Sequence, residues 1–213
     1  MKKQGAVLAI FSILFVCSTS QANITNVAYW AEAGGAFVCT PWSVDANAPE
    51  LTLPMIYGDY GTNSPAVGTP GHLILNVLTD SPDDPTLKIS NSIENDSTFA
   101  WTQFTVNLYM GVQFTVTNTT LGGPAGWSLA SPSTQTATFN GTQWEATVLY
   151  QGGPAIPNDN ISTIDFGYWV KFNGQPSYAI TQEMIPVPEP STLGLVGVSL
   201  LLLGQLARRR RGD

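Results

Sequence analysis

The sequence predicts an all-β protein whose central part forms a single antiparallel β-sandwich, jelly-roll-like or Ig-like, of about eight to ten strands. From residue 23 to residue 184 there is no helical period of ten or more residues. Short runs of β-branched and aromatic residues recur there instead, separated by Gly, Pro, Asn and Asp. Apolar runs at both chain ends add an N-terminal signal helix and a C-terminal transmembrane helix to this prediction.

The N-terminus is typical of a secretory signal peptide over residues 1–22. Lys2 and Lys3 supply the positive start, and residues 6–16 form an apolar run of 11 residues. That run is shorter than the roughly 20 residues of a membrane-spanning helix. Small residues precede position 23, so we expect signal peptidase to cut after Ala22.

Cleavage leaves Cys39 as the single cysteine of the mature chain, without a partner for an internal disulfide. A thiol acts as a nucleophile only beside a base, and the chain has one histidine, His72. We expect Cys39 to be a small buried residue.

Residues 23–184 are predicted to form the sandwich. The clearest hairpin signal is Asn140-Gly141, which sits between two alternating segments and suits a two-residue type I′ turn. Such a turn would place Phe139 opposite Thr142 and Ala137 opposite Trp144. This hairpin spans residues 135–150, and the other strands predicted along this region span residues 24–30, 36–41, 72–80, 87–93, 99–109, 112–118 and 161–172.

The strand at 161–172 alternates apolar and polar residues and is followed by Asn173-Gly174. A second two-residue turn here would place Ile180 and Met184 on the same face as Asp165. That conflict indicates either a bulge or longer loop near Pro176 or a sheet covered on both faces.

The basic residues are concentrated at the chain ends. Only Lys88 and Lys171 lie between residues 23 and 187, against 13 acidic residues, which leaves this stretch with a charge of −11. Such a domain lacks the clustered cations of a nucleic-acid-binding face, so we expect no nucleic-acid partner. Cations beside apolar runs are typical of membrane targeting.

The C-terminus has three parts: a proline-rich stem at residues 185–192, an apolar segment at 193–207 and a basic tail at 208–213. Proline lacks a backbone donor, so we expect the stem to be extended outside regular structure. The apolar segment is predicted to cross the membrane, and the arginines Arg208, Arg209, Arg210 and Arg211 should stay cytoplasmic.

Pro188, Glu189 and Pro190, followed by the apolar segment and the arginine cluster, together resemble the PEP-CTERM protein-sorting domain of Gram-negative bacteria. The resemblance spans about residues 187–211. It implies recognition by an exosortase, a membrane protease or transpeptidase acting near this motif. It also implies a precursor anchored in the inner membrane with its ectodomain outside the cytoplasm, and a final place at the cell surface or in an extracellular matrix containing exopolysaccharide. A plain single-pass anchor is the alternative.

No catalytic motif is present, and we expect a noncatalytic protein without a cofactor. A Ser-His-Asp triad would have to use His72, on a predicted strand. The carboxylates Glu94, Asp96, Glu145 and Asp165 keep a secreted hydrolase open as an alternative. The oxygen-rich turns at residues 80–84 and 158–160 offer the ligands of a structural calcium ion, although such side chains commonly cap their own turns.

Three aromatic residues are candidates for glycan binding, the first alternative function, which ranks ahead of the hydrolase. Trp101 and Tyr109 are predicted to share an amphipathic strand face with amide side chains, and Trp169 shares a face with Asp165 and Lys171. Aromatic rings beside polar groups stack on sugar rings and bind their hydroxyls. The opposing interpretation is that these rings belong to the core.

Overall fold

The computed structural model describes residues 22–61, 65–81, 83, 85–123, 126–172 and 177–188. These residues form fifteen β-strands and no α-helix. The strands are β1 (Ile24–Ala31), β2 (Phe37–Cys39), β3 (Trp42–Ala48), β4 (Glu50–Thr52), β5 (Ile56–Tyr60), β6 (Gly71–Thr79), β7 (Thr86–Asn95), β8 (Trp101–Met110), β9 (Phe114–Gly123), β10 (Ser128–Leu129), β11 (Thr134–Thr136), β12 (Thr138–Phe139), β13 (Trp144–Ile156), β14 (Thr163–Phe172) and β15 (Ser177–Pro188).

The strands form two sheets, which confirms the predicted all-β class and sandwich arrangement. Sheet A has the order β10-β13-β8-β15-β6-β1-β3, with β12 beside β13, and sheet B has the order β11-β9-β14-β7-β5-β2. Pairing is antiparallel except where β4 and β5 run parallel to two successive parts of β7. The predicted signal helix and transmembrane helix lie outside the described residues.

The core lies between the sheets because several long strands bury every second side chain. β7 and β15 alternate strictly, and β15 buries Tyr178, Ile180, Gln182, Met184, Pro186 and Pro188. Phe166 of sheet B lies with its ring centroid 5.5 Å from Phe104 and 5.4 Å from Tyr150 of sheet A. These tilted aromatic pairs join the two sheets.

A β-bulge in β8 places Trp101 in the core, as the opposing interpretation expected, and not on the amphipathic face with Tyr109. In both neighbouring pairings Gln103 and Trp101 have partners while Thr102 is skipped. The extra residue reverses the alternation, so that Trp101 and Phe104 both point inward. Trp101 is fully buried, donates from Nε1 to Ser97 Oγ at 3.0 Å and contacts Tyr60 edge-on.

The chain turns at Asn140-Gly141 as predicted, but the loop does not have the predicted length of two residues. Phe139 pairs with Trp144, and the Asn140 backbone N–H donates to the Gln143 carbonyl, so the loop has four residues. The Asn140 side chain accepts hydrogen bonds from the backbone N–H groups of Thr142 and Gln143. Asparagine therefore acts here as a side-chain cap of the turn, and Gly141 alone takes the positive φ, 101°.

The two-residue hairpin considered at Asn173-Gly174 is excluded, since β14 lies in sheet B and β15 in sheet A. The connecting residues 173–176 are outside the described part. Each strand turns its apolar residues toward the shared core from an opposite side. β14 ends at Phe172 and β15 begins at Ser177, so the connection is longer than two residues, as one of the alternatives expected. The change of sheet accounts for the conflict in the sequence pattern without a bulge or a doubly covered sheet.

The last strand extends beyond the boundary predicted at Met184. β15 pairs with both β6 and β8 as far as Met184, and from Ile185 to Pro188 it continues along β8 alone. Proline is tolerated on a strand that has a neighbour on one side only. The first half of the predicted stem therefore belongs to sheet A, and Thr102 Oγ1 donates to the Pro188 carbonyl at 3.2 Å.

Candidate functional site

The three predicted glycan-binding residues lie in three different places. Trp101 is in the core and has no ring face free for a sugar. Tyr109 lies on the outer face of sheet A, partly buried, and Trp169 lies on the outer face of sheet B, 39% exposed. The structure thus offers two separate surfaces, which we call the Tyr109 face and the Trp169 face.

The Trp169 face is built from register-matched residues of neighbouring strands. Trp169 of β14 lies opposite Lys88 of β7 on one side and Thr117 of β9 on the other. Lys171, two residues along β14, lies opposite Thr86 and Thr115. The period of two brings all of these side chains to the solvent side of sheet B.

The Trp169 ring carries a cation on one side. Lys88 Nζ lies 4.2 Å from the ring centroid, within the range of a cation–π contact. The same ammonium forms an ion pair with Glu50, which is itself half-exposed. Lys88 is thereby held against the indole while part of the ring stays open to solvent.

The Tyr109 face is organised around the Glu183 carboxylate of β15. Glu183 accepts hydrogen bonds from Asn107 Nδ2 at 2.8 Å and from the Tyr109 hydroxyl at 3.1 Å. His72 Nε2 lies 3.3 Å from its other oxygen, and His72 Nδ1 contacts the Glu32 carboxylate. Both ring nitrogens of His72 are therefore engaged by carboxylates, so neither is directed at a serine hydroxyl or at the Cys39 thiol.

These contacts change the pKa values of Glu183 and Tyr109 on this face. Burial alone raises the pKa of the Glu183 carboxyl, but the hydrogen bonds from Asn107, His72 and Tyr109 hold that pKa below its ordinary value. Burial and the adjacent Glu183 raise the pKa of Tyr109 to about 12. At neutral pH the network thus holds an ionised carboxylate and an intact phenol.

The carboxylates considered for hydrolysis are divided between the sheets. Glu145 lies on the outer face of sheet A, across from Tyr109, whereas Glu94 and Asp165 lie on sheet B. Burial, Asp96 and Asp59 raise the pKa of Glu94. Glu94 and Asp96 are thus the pair of predicted acids that the structure brings together.

The oxygen-rich turns use their side chains locally. Asp80 accepts from the backbone and side-chain nitrogens of Asn23, and Asp159 accepts from the backbone N–H groups of Ile161 and Ser162. In the described part of the chain no three His, Cys, Asp or Glu side chains form a group that could hold a metal ion. Pro82 and Asp84 of the first turn lie outside that part, and calcium stays a prediction.

Cys39 is free and partly buried, and burial raises the pKa of its thiol. A raised pKa reduces the thiolate fraction on which nucleophilic reactivity depends.

Sequence reasoning did not find the Glu32–His72–Glu183 contacts or the position of Lys88 over Trp169. The only local signal was Trp169-x-Lys171, which places an aromatic and a cation on one strand face. The remaining contacts depend on which strands pair, and no short motif encodes that.

Among the described residues no helix is long and apolar enough to cross a membrane. No curated protein matches the chain. Residues 186–211 match the family model of the PEP-CTERM protein-sorting motif. The match begins at Pro186, inside β15, and runs through the Pro188-Glu189-Pro190 signature to the arginine cluster. This chain therefore carries a PEP-CTERM sorting motif at its C-terminus, and the motif supports an exported protein that an exosortase-type enzyme sorts.

Proposed function

We propose that this chain is a noncatalytic protein of the cell surface or extracellular matrix, retained there in association with exopolysaccharide. The sorting motif at residues 186–211 carries the proposal. In this scheme signal peptidase cuts after Ala22, and the segment at 193–207 anchors the precursor in the inner membrane. The exosortase-type enzyme then acts near Pro188-Glu189-Pro190 and releases the sandwich from the arginine tail.

The acidic surface supports this assignment. Lys88 and Lys171 are the only cations of residues 23–187, against 13 carboxylates. A net charge of −11 keeps a domain soluble and repels it from anionic lipid and nucleic acid. Stability without a disulfide comes from the core between the two sheets, whose largest buried side chains are aromatic.

Mass spectrometry of the mature C-terminus, from the native host, tests the sorting step. We expect a chain that lacks Arg208 to Arg211. Replacing Glu189 and Pro190 with Ala alters the motif beyond the last residue of β15 and should leave the arginines in place. Gly212→Ala, beyond the cluster, is the matched control and should be processed normally. An intact arginine tail on the wild-type protein would contradict exosortase processing.

Glycan binding is the second candidate function, and the partly exposed Trp169 ring favours it. Binding of the full-length protein to a panel of polysaccharides should weaken in Trp169→Ala. The same incubation checks the hydrolase alternative, since release of new reducing ends that is lost in Glu94→Gln would show an enzyme. Binding that survives Trp→Ala at both position 101 and position 169 would exclude the two tryptophans as the glycan site.

A further inference from the structure

The two cations of the sandwich lie together beside its exposed tryptophan. Lys88 is directly across from Trp169, and Lys171 follows Trp169 by two residues on the same strand face. Lys171 is exposed to solvent. In a domain with 13 carboxylates this places all the positive charge of residues 23–187 within one small area of sheet B.

Threonine hydroxyls extend this area along two parallel rows. One row crosses five strands and contains Thr52, Lys88, Trp169, Thr117 and Thr134. The next row contains Glu50, Thr86, Lys171, Thr115 and Thr136. Four inter-strand spacings of about 4.8 Å make each row roughly 19 Å long, enough for several sugar rings in line.

Each group on the two rows suits a different part of one ligand. The Trp169 ring can stack on the apolar face of a pyranose, and threonine hydroxyls can exchange hydrogen bonds with sugar hydroxyls. The ammonium groups of Lys88 and Lys171 attract carboxylate or sulfate substituents. Glu50 already pairs with Lys88, so an acidic group reaching Lys88 has to replace that partner.

We propose that the Trp169 face binds an acidic polysaccharide, through stacking on Trp169 and ion pairs to Lys171 and Lys88. This inference rests on the proposed glycan-binding function and adds the ligand's charge. The acidic remainder of the domain repels such a polymer, so charge directs it to this area of sheet B and to no other part of residues 23–187.

Titration of the full-length protein with a polyuronate and with a neutral glucan of similar length tests the proposal. At about 0.15 M salt the Debye length is about 8 Å, so the repulsion from distant carboxylates is screened while contact ion pairs persist. Under this condition we expect the polyuronate to bind at least about tenfold more tightly, and we expect the preference to shrink as further salt weakens the ion pairs to the lysines. Trp169→Ala should weaken polyuronate binding about tenfold. Lys171→Gln should weaken it severalfold, whereas Lys171→Arg should retain it.

Trp30→Ala is the matched control, because Trp30 is partly exposed on the outer face of the other sheet. It should leave binding unchanged. If Trp169→Ala fails to fold, Lys171→Glu takes its place in the test, because position 171 is exposed to solvent.

The outcomes distinguish a failure of glycan binding from a failure of the assigned face and ligand. Binding to neither polymer would overturn the glycan-binding function itself. Equal binding to both polymers, or polyuronate binding unaffected by the Trp169 and Lys171 changes, would leave glycan binding in place and overturn the assignment of this face and its ligand.

Discussion

Trp101 and Trp169 show how differently one residue type behaves in this molecule. Trp101 is fully buried against Tyr60 and Phe104, and its Nε1 donor is satisfied by Ser97. Trp169 is 39% exposed and contacts Lys88. The bulge at Thr102 creates this difference, since without it Trp101 would face solvent.

The first prediction compares the two tryptophans. Trp101→Ala should lower the free energy of unfolding by about 3–5 kcal/mol, because it leaves a large cavity. Trp169→Ala should lower it by less than about 1 kcal/mol, the usual value for an exposed contact. Chemical denaturation of both variants measures these costs, and equal costs would contradict the burial of Trp101.

A buried polar contact joins the two sheets through Gln182. Its Oε1 accepts from the Tyr168 hydroxyl, and its Nε2 donates to Asn91 Oδ1 at 3.3 Å. All three side chains are fully buried. The Gln182 amide in the centre of the sandwich is tolerated because its Oε1 and Nε2 both have partners.

The second prediction concerns this contact. Gln182→Leu should destabilise the protein by about 1–3 kcal/mol, although leucine is more apolar, because it removes the partner of two buried oxygens. Ser177→Ala, at an exposed position of the same strand, should change stability by less than about 0.5 kcal/mol. A neutral or stabilising Gln182→Leu would show that the contact is dispensable.

The third prediction is a pH dependence that arises from Glu183. Its pKa is lowered in the folded state from the ordinary value of 4.5. The stabilisation that ionised Glu183 gives the folded state is therefore complete above about pH 4.5. It disappears as the pH falls through the lowered pKa of this carboxyl group. Glu183→Gln should lower the free energy of unfolding by about 1 kcal/mol at pH 7. This is at the low end of the range for hydrogen bonds to charged groups, because the site is partly exposed.

Denaturation at a series of pH values measures this effect. The difference between wild type and Glu183→Gln should shrink below pH 4.5. Glu145→Gln removes a carboxylate from the same outer face and controls for the change in net charge. A difference that persists unchanged into strong acid would exclude Glu183 as its source.

At the level of elements, connections determine which strands can pair. Gly61 follows β5, has φ of 130° and donates from its N–H to the Ala36 carbonyl. A Cβ atom at this position would lie 2.2 Å from the Ser97 backbone nitrogen. The chain can pass there only because glycine has no side chain.

The fourth prediction compares Gly61 with Gly34, which also has positive φ, 76°, but where a Cβ would meet no heavy atom within 4 Å. Gly34→Ala should cost about 1 kcal/mol, from backbone strain alone. Gly61→Ala should cost more than about 3 kcal/mol, since backbone has to move as well. Thermal unfolding distinguishes the two, and similar melting temperatures would contradict the close approach to Ser97.

The strands that alternate clearly were predictable from sequence. Every residue of the apolar face predicted for β14, from Ile164 to Phe172, is buried, and Gly167 is buried in addition. β3, β4 and β5 were not predicted, because Pro41, Pro49 and Pro54 interrupt that region and its strands expose mixed residues. Alternation identifies a strand only when one face is buried and the other is polar over several residues.

At the scale of the whole molecule, pairing partners were beyond sequence reasoning. Asn173-Gly174 is typical of a local hairpin, yet the strands before and after it, β14 and β15, lie in different sheets. The energy that decides this is the burial of both apolar faces in one core, which is a property of distant residues together. The same limit applies to the Trp169 face. Trp169 was predictable from its own strand, whereas its neighbour Lys88, from β7, was not.

The fifth prediction tests the extent of the folded unit. A chain that ends after Ile185 loses the buried Pro186 and Pro188 and the acceptors of Thr102, whereas a chain that ends after Pro188 keeps them. The shorter chain should melt about 5–10 °C lower, which corresponds to roughly 2–3 kcal/mol. Identical melting temperatures would place the end of the folded unit before Pro186.

The run of β15 into the sorting motif also sets a distance. Four residues separate Pro188 from Leu193, where the apolar segment begins, and a fully extended chain covers about 3.3–3.6 Å per residue. The folded edge at Trp101 and Pro188 therefore stays within roughly 17 Å of that segment. An enzyme that works on Glu189 or Pro190 has the sandwich as its immediate neighbour, so the shape of this edge belongs to the surface that the enzyme meets.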